Sequence, residues 1–183
     1  GVTVTGPEIA ISTHSPLRPQ PPGASRFFEL LATSIRARQQ MVAERWSEAS
    51  KAYSALLQSL SLAEIFPPEH LYELQLNAGH ALNQLGHHQE ALAPLRKAIS
   101  INPSRYEAHD VMALVSASLG RLDEAIEAWE RVVELQPRHG TAYFNLAKAL
   151  YNSGRYHRAY EVALQGIELT PGHPMAASVR RFV

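Results

Sequence analysis

The chain has 183 residues, 45% of them hydrophobic, which is room for one domain with a substantial core rather than two large ones. Lys+Arg and Asp+Glu balance at 17 each, without the basic excess that binding duplex nucleic acid through phosphates requires. The absence of cysteine excludes a disulfide framework, a thiolate metal site and a cysteine nucleophile, and no apolar run approaches the roughly 20 residues of a membrane span.

Residues 1–25 form a Pro/Gly-rich arm. They hold Pro7, Pro16, Pro19, Pro21 and Pro22 with Gly1, Gly6 and Gly23, so no packed helix is expected before Ser25. A signal peptide is disfavoured, because the start is not basic and no continuous apolar stretch follows; a cytoplasmic protein is the expectation. The missing Met and leading Gly also fit a processed chain with an excised signal upstream.

Beyond the arm the composition is helical, with 26 Ala and 22 Leu in the chain. From residue 72 onward it repeats. Gly86, Gly120 and Gly154 recur at intervals of 34 residues, as do Ala91, Ala125 and Ala159, and Pro103, Pro137 and Pro171. Gly79, Ala113 and Ala147 complete a fourth column of small residues, and four columns in register mark a solenoid. Each unit reads as two helices. Leu122, Ala125, Ile126, Trp129, Val132 and Val133 share one helical face, and Tyr106 to Leu119 forms the helix before it. Ser104 and Glu107 are spaced as a capping box for that helix, and Gly120 supplies the turn between the two. Pro94, about two turns into a second helix, predicts a bend.

This pattern resembles the tetratricopeptide repeat, which has small residues at repeat positions 8, 20 and 27 and Pro at 32. The units are 72–105, 106–139 and 140–173. Position 27 holds Ala98, Val132 and Gly166, so the middle unit departs there by one β-branched residue, and the usually aromatic position 24 holds Leu95, Trp129 and Ala163, which makes the last unit's core the least filled. Residues 26–71 read as a degenerate first pair, with Ala37, Ala49 and Tyr53 at positions 8, 20 and 24. Its excess of eight residues fits a second helix extended through Ala63 and a turn at Phe66-Pro67-Pro68. Residues 174–183 read as a capping helix, which a solenoid needs to cover its last apolar face. The resemblance implies an all-α, right-handed α-solenoid.

No catalytic motif is present, so the chain itself is expected not to be an enzyme, and no cofactor or metal is implied. The nine histidines lack ligand spacing; His139 and His173, both at repeat position 34, read as solvated turn residues. On the first helix of each unit, positions 2, 5, 9 and 12 share a face. The resemblance implies that this face lines a concave groove. It carries Glu73, Leu76, His80 and Asn83, then Glu107, Asp110, Leu114 and Ala117, then Thr141, Phe144, Lys148 and Tyr151. The first unit adds Leu31, Ser34, Arg38 and Met41. The apolar members are candidate peptide contacts; the alternative is that they pack against the second helix or the arm.

Asn77 and Asn145, at position 6, resemble two rungs of the asparagine ladder in the repeat domain of O-linked N-acetylglucosamine transferase, whose other rungs are Ile35 and Val111 here. Of the chaperone-tail clamp found in other tetratricopeptide proteins only Asn77 fits, which argues against that ligand. Glu73, Glu107 and Asp110 give the groove an acidic middle between Arg38 and Lys148. That pattern suits either a peptide with a central basic residue or a solvated mixed surface. The expected contacts are Glu73, Asn77, His80, Glu107, Asp110, Leu114, Phe144, Asn145, Lys148 and Tyr151. The expected role is an adaptor or scaffold for a protein or peptide partner, with no nucleic acid and no membrane insertion. Two alternatives stand beside it: the repeat region of a larger glycosyltransferase-like or sulfotransferase-like enzyme, serving substrate recruitment or oligomerisation, and self-association through the Pro-rich arm.

Overall fold

The computed structural model describes residues 24–59, 62–174 and 176. The expectations for the arm, and most of those for the 174–183 helix, lie outside the described residues. Nine helices and no strand occur among the described residues. They are α1 (Ala24–Val42), α2 (Trp46–Leu57), α3 (Leu62–Ile65), α4 (Pro68–Gln84), α5 (His88–Ile101), α6 (Tyr106–Ser118), α7 (Leu122–Leu135), α8 (Gly140–Asn152) and α9 (Tyr156–Leu169).

Apart from the short α3, the helices pair as α1 with α2, α4 with α5, α6 with α7 and α8 with α9, and each pair packs on the next. The chain is an all-α solenoid. α4 touches both α1 and α6 directly, whereas the second helices of neighbouring pairs have no comparable contact with each other. The first helices therefore form the crowded inner wall and the second helices the outer one.

Each pair closes through the same turn. Gly86, Gly120 and Gly154 have φ of +77°, +74° and +80°, where a Cβ is strained. The amide of the following residue reaches back five residues, His87 to Leu82, Arg121 to Ser116 and Arg155 to Leu150, each at 2.9 Å. This is the bond of a Schellman cap. Glu44 takes the same place in the first pair, at φ +56°, with Arg45 N–H bonded to the Gln40 carbonyl at 2.8 Å. The residue after the turn also ties pair to pair: Arg121 donates to Gln89 at 3.1 Å, and Arg155 pairs with Asp123.

The small columns sit at close helix crossings. A Cβ on Gly79 would lie 2.5 Å from Leu95 Cγ, and one on Gly166 would lie 3.2 Å from the Phe144 ring. Ala91, Ala125, Ala113 and Ala98 are fully buried between helices.

Three local expectations are corrected. α2 ends at Leu57 instead of running through Ala63, and the extra residues make the separate helix α3. Leu62 and Phe66 are buried there, with the Phe66 ring stacked on His70 at 4.5 Å, so α3 and the turn after it plug the junction between α1 and α4. Pro67 is extended, and Pro68 opens α4 four residues before Tyr72, where a missing N–H is harmless. The Ser104–Glu107 capping box does not form: Arg105 is the N-cap of α6, without a side-chain cap, and its guanidinium holds the Glu107 carboxylate instead. α5 itself runs through Pro94 as one helix.

Candidate functional site: the inner wall of the solenoid

The inner wall is built by α1, α4, α6 and α8, and the ten expected contacts fall on the last three of these. Repeat position 5 does not face the groove as expected. Ser34 and Leu76 are buried and Phe144 is fully so. The Phe144 ring stacks on His173, with centroids 4.2 Å apart, and lies against Gly166. A side chain at this position turns toward its own second helix, so Phe144 is a core residue and not an exposed contact. Asp110, also at position 5, accepts a hydrogen bond from the Trp129 indole N–H at 3.1 Å.

The acidic middle is partly compensated. Arg105 bonds Glu73 at 2.6 Å and Glu107 at 2.8 Å, while its guanidinium lies 4.2 Å from the centre of the Tyr72 ring. Burial pushes the Glu107 carboxyl up, but the bond and charge of Arg105 overcome this and hold it below the ordinary carboxylate range. The bonds from Glu107 and Glu73 outweigh burial and hold the Arg105 proton more tightly than usual. Glu73 and Glu107 thus share one cation, which offsets one of their two charges, and Asp110 accepts from the neutral Trp129 indole and keeps its charge.

His80 is packed instead of free. Its ring meets Trp46 edge-on at 5.4 Å and its Nε2 lies 3.1 Å from Gln84 Nε2. Burial lowers its pKa, so it is neutral at pH 7. Asn77 lies beside the buried Tyr53 hydroxyl, which makes no hydrogen bond of good geometry. Burial raises the Tyr53 pKa, and the Asn77 amide and Arg38 charge pull it partly back. The turn histidines are not simply solvated either. His139 meets Tyr106 edge-on at 5.3 Å, and His173 covers Phe144.

Open side chains stand on α6 and α8. Leu114 is 37% exposed and Tyr151 63%, the latter edge-on to Tyr156 at 5.1 Å. Lys148 is exposed and makes no ion pair among the described residues. Between the two helices lies a cavity of about 300 Å³ lined by Leu114, Ala117, Leu122, Trp129, Asn145 and Lys148, with Ser118, Ala149 and Asn152 completing it. The sequence placed Leu114, Asn145 and Lys148 on this wall but gave no sign of the cavity, whose floor comes from α7.

The repeat geometry is matched by family models. Two models described as tetratricopeptide repeat match residues 72–105 and 112–174, together more than half of the chain. The chain belongs to the tetratricopeptide repeat family. Among solved structures, it is similar to YrrB, described as a TPR protein with an unusual peptide-binding site, at 24% identity and a TM-score of 0.71, covering 83% of this chain and 74% of that one. It is similar to MamA from MSR-1, at 21% identity and a TM-score of 0.70, covering 84% of each chain. A tetratricopeptide repeat protein from Parabacteroides merdae ATCC 43184 shows 17% identity and a TM-score of 0.70, covering 85% of this chain and 58% of that one. These likenesses show the fold. No curated protein matches the chain. No helix among the described residues is long and apolar enough to cross a membrane.

Proposed function

We propose that this chain is a non-catalytic interaction module that holds a peptide or helical segment of a partner protein in its concave groove. The observation that carries the reading is the uneven state of the inner wall. Its His80 and Glu73 on α4 are engaged by internal contacts, whereas the α6–α8 part keeps an exposed leucine, an exposed tyrosine, a lysine without an ion pair among the described residues and an open cavity. Apolar surface with a polar rim on a concave face is how peptide grooves are built. Asn145, lining the cavity, adds an amide that donates to a peptide carbonyl and accepts from a peptide N–H at once. The peptide-binding description of YrrB, a protein of the same fold, supports the same use.

The test is capture from native extract by the wild-type chain, by Asn77→Ala/Asn145→Ala/Lys148→Glu, and by Lys97→Glu on the outer helix α5. Loss of a specific partner from the triple variant alone, with its melting temperature unchanged, supports the groove. Equal capture by the triple variant refutes it.

A further inference from the structure

The solenoid presents the same wall element three times, and a cavity opens at the last. Each junction combines position 17 of a second helix with position 9 of the next first helix. Between α1 and α4 these are Trp46 and His80, whose rings meet edge-on and fill the space. Between α4 and α6, His88 occupies position 17 and its Nδ1 is held by Asn83 Oδ1 at 3.0 Å. Between α6 and α8, position 17 is Leu122 and position 9 is Lys148, and here the cavity of about 300 Å³ opens. An aliphatic side chain stands where both other junctions carry a ring.

We propose that this cavity takes one aromatic side chain of the peptide held in the groove, with Lys148 pairing a carboxylate beside it. The inference rests on the groove reading above and adds what the groove selects. The protein's own Trp46, at the equivalent junction, shows which shape this element accepts. The floor is apolar and aromatic, from Leu114, Leu122 and the Trp129 ring, and Asn145 stands on the wall. A volume of this size is at the lower end of the roughly 300–1,000 Å³ of ligand clefts, suited to one side chain rather than a whole cofactor. Charge sets the neighbour. Lys148 stands on the rim of the cavity without an ion pair among the described residues, so an acidic residue of the partner complements it.

The indole N–H of Trp129, held by Asp110 under the cavity, is a local reporter in 15N-labelled protein, with Trp46 as the internal reference. The probes are three blocked pentapeptides, acetyl-GGFDG-amide, acetyl-GGADG-amide and acetyl-GGFKG-amide. The Phe-Asp peptide is expected to move the Trp129 signal saturably and leave Trp46 in place. The Ala-Asp peptide, with no ring to bury, is expected to bind about tenfold more weakly or worse. Leu122→Trp, which installs the ring found at position 17 of the first pair, is expected to abolish the shift. Lys148→Glu, a surface change that leaves the fold intact, is expected to reverse the preference toward the Phe-Lys peptide.

A silent Trp129 signal, equal binding of the Ala-Asp and Phe-Asp peptides, or an unchanged preference in Lys148→Glu overturns the proposal. If Trp129 is silent while signals of Asn77 or Tyr151 move saturably, the socket is wrong and the groove still binds peptide. If no inner-wall signal moves, the socket is refuted and the groove reading stands or falls on the capture experiment.

Discussion

Gly79→Ala is predicted to change sign with the residue opposite it. Gly79 is buried in the middle of α4, and a Cβ there would sit 2.5 Å from Leu95 Cγ and 2.6 Å from Cδ2. Ordinary carbon contacts lie at about 3.5–4.0 Å, so the overlap is roughly 1 Å. Leu95 is fully buried and cannot swing clear. Overpacking of this kind costs about 1–3 kcal/mol, against a helix-propensity gain of about 1 kcal/mol for Gly to Ala. The expected net effect is a destabilisation of about 1 kcal/mol, or about 2–4 °C in melting temperature for a chain of this size. In a Leu95→Ala background the clash is gone and only the propensity gain remains, so the same substitution is expected to stabilise by about 1 kcal/mol. The four proteins of this cycle are compared by urea unfolding followed by far-UV circular dichroism, and the coupling energy is about 2 kcal/mol. An effect of Gly79→Ala that is the same in both backgrounds refutes the claim that Leu95 is what excludes a side chain at position 8.

Two further outcomes follow from the same geometry. Glu44→Gly is expected to stabilise the first pair by about 1 kcal/mol, because Glu44 holds φ +56° at an exposed turn where the other pairs have glycine; thermal unfolding checks it, and a loss of stability contradicts it. Stability is also expected to fall as pH drops below about 6.5. Burial holds the folded-state pKa values of His80 and, against an opposing pull from Glu73, His70 below the unfolded value. Their neutral forms therefore stabilise the fold fully above the unfolded pKa, and that stability is lost as pH falls toward the folded one. Urea titrations at pH 7 and pH 5 measure the slope. His80→Phe, which keeps a ring against Trp46, should reduce it, and an unchanged slope excludes His80 as a contributor.

The solenoid was legible because its repeat columns record backbone constraints that tolerate few residues. Position 15 needs a left-handed residue, and Gly86, Gly120 and Gly154 announce it. Where Glu44 meets the same demand the column breaks, and the first pair reads as degenerate although it closes with the same bond. Position 8 is read as easily, since any side chain on Gly79 meets Leu95. The fate of the eight extra residues was not legible. Ending α2 at Leu57 depends on Leu62 and Phe66 finding a place between α1 and α4, a long-range packing choice that local periodicity does not carry. The burial of Phe144 was hidden for a similar reason, because its cover is a ring 29 residues later in sequence.

The groove was legible as a face and not as a charge. Helical spacing identifies which side chains stand on the inner wall, but residues outside those columns pair with some of them. Arg105, His139 and His173 all occupy position 34, in the turn between units. Each reaches back onto a first helix: Arg105 to Glu73 and to Glu107 on the next, His139 to Tyr106, and His173 to Phe144. The turn residue is thus a packing element, in one unit neutralising the wall and in the others covering rings of it. Counting Glu73, Glu107 and Asp110 as an acidic patch ignores the Arg105 and Trp129 donors they already serve. Arg105 offsets one of those three negative charges, and Lys148, without an ion pair among the described residues, adds a positive one on the rim of the cavity, so the groove is mixed in sign where the bare sequence reads acidic in its middle.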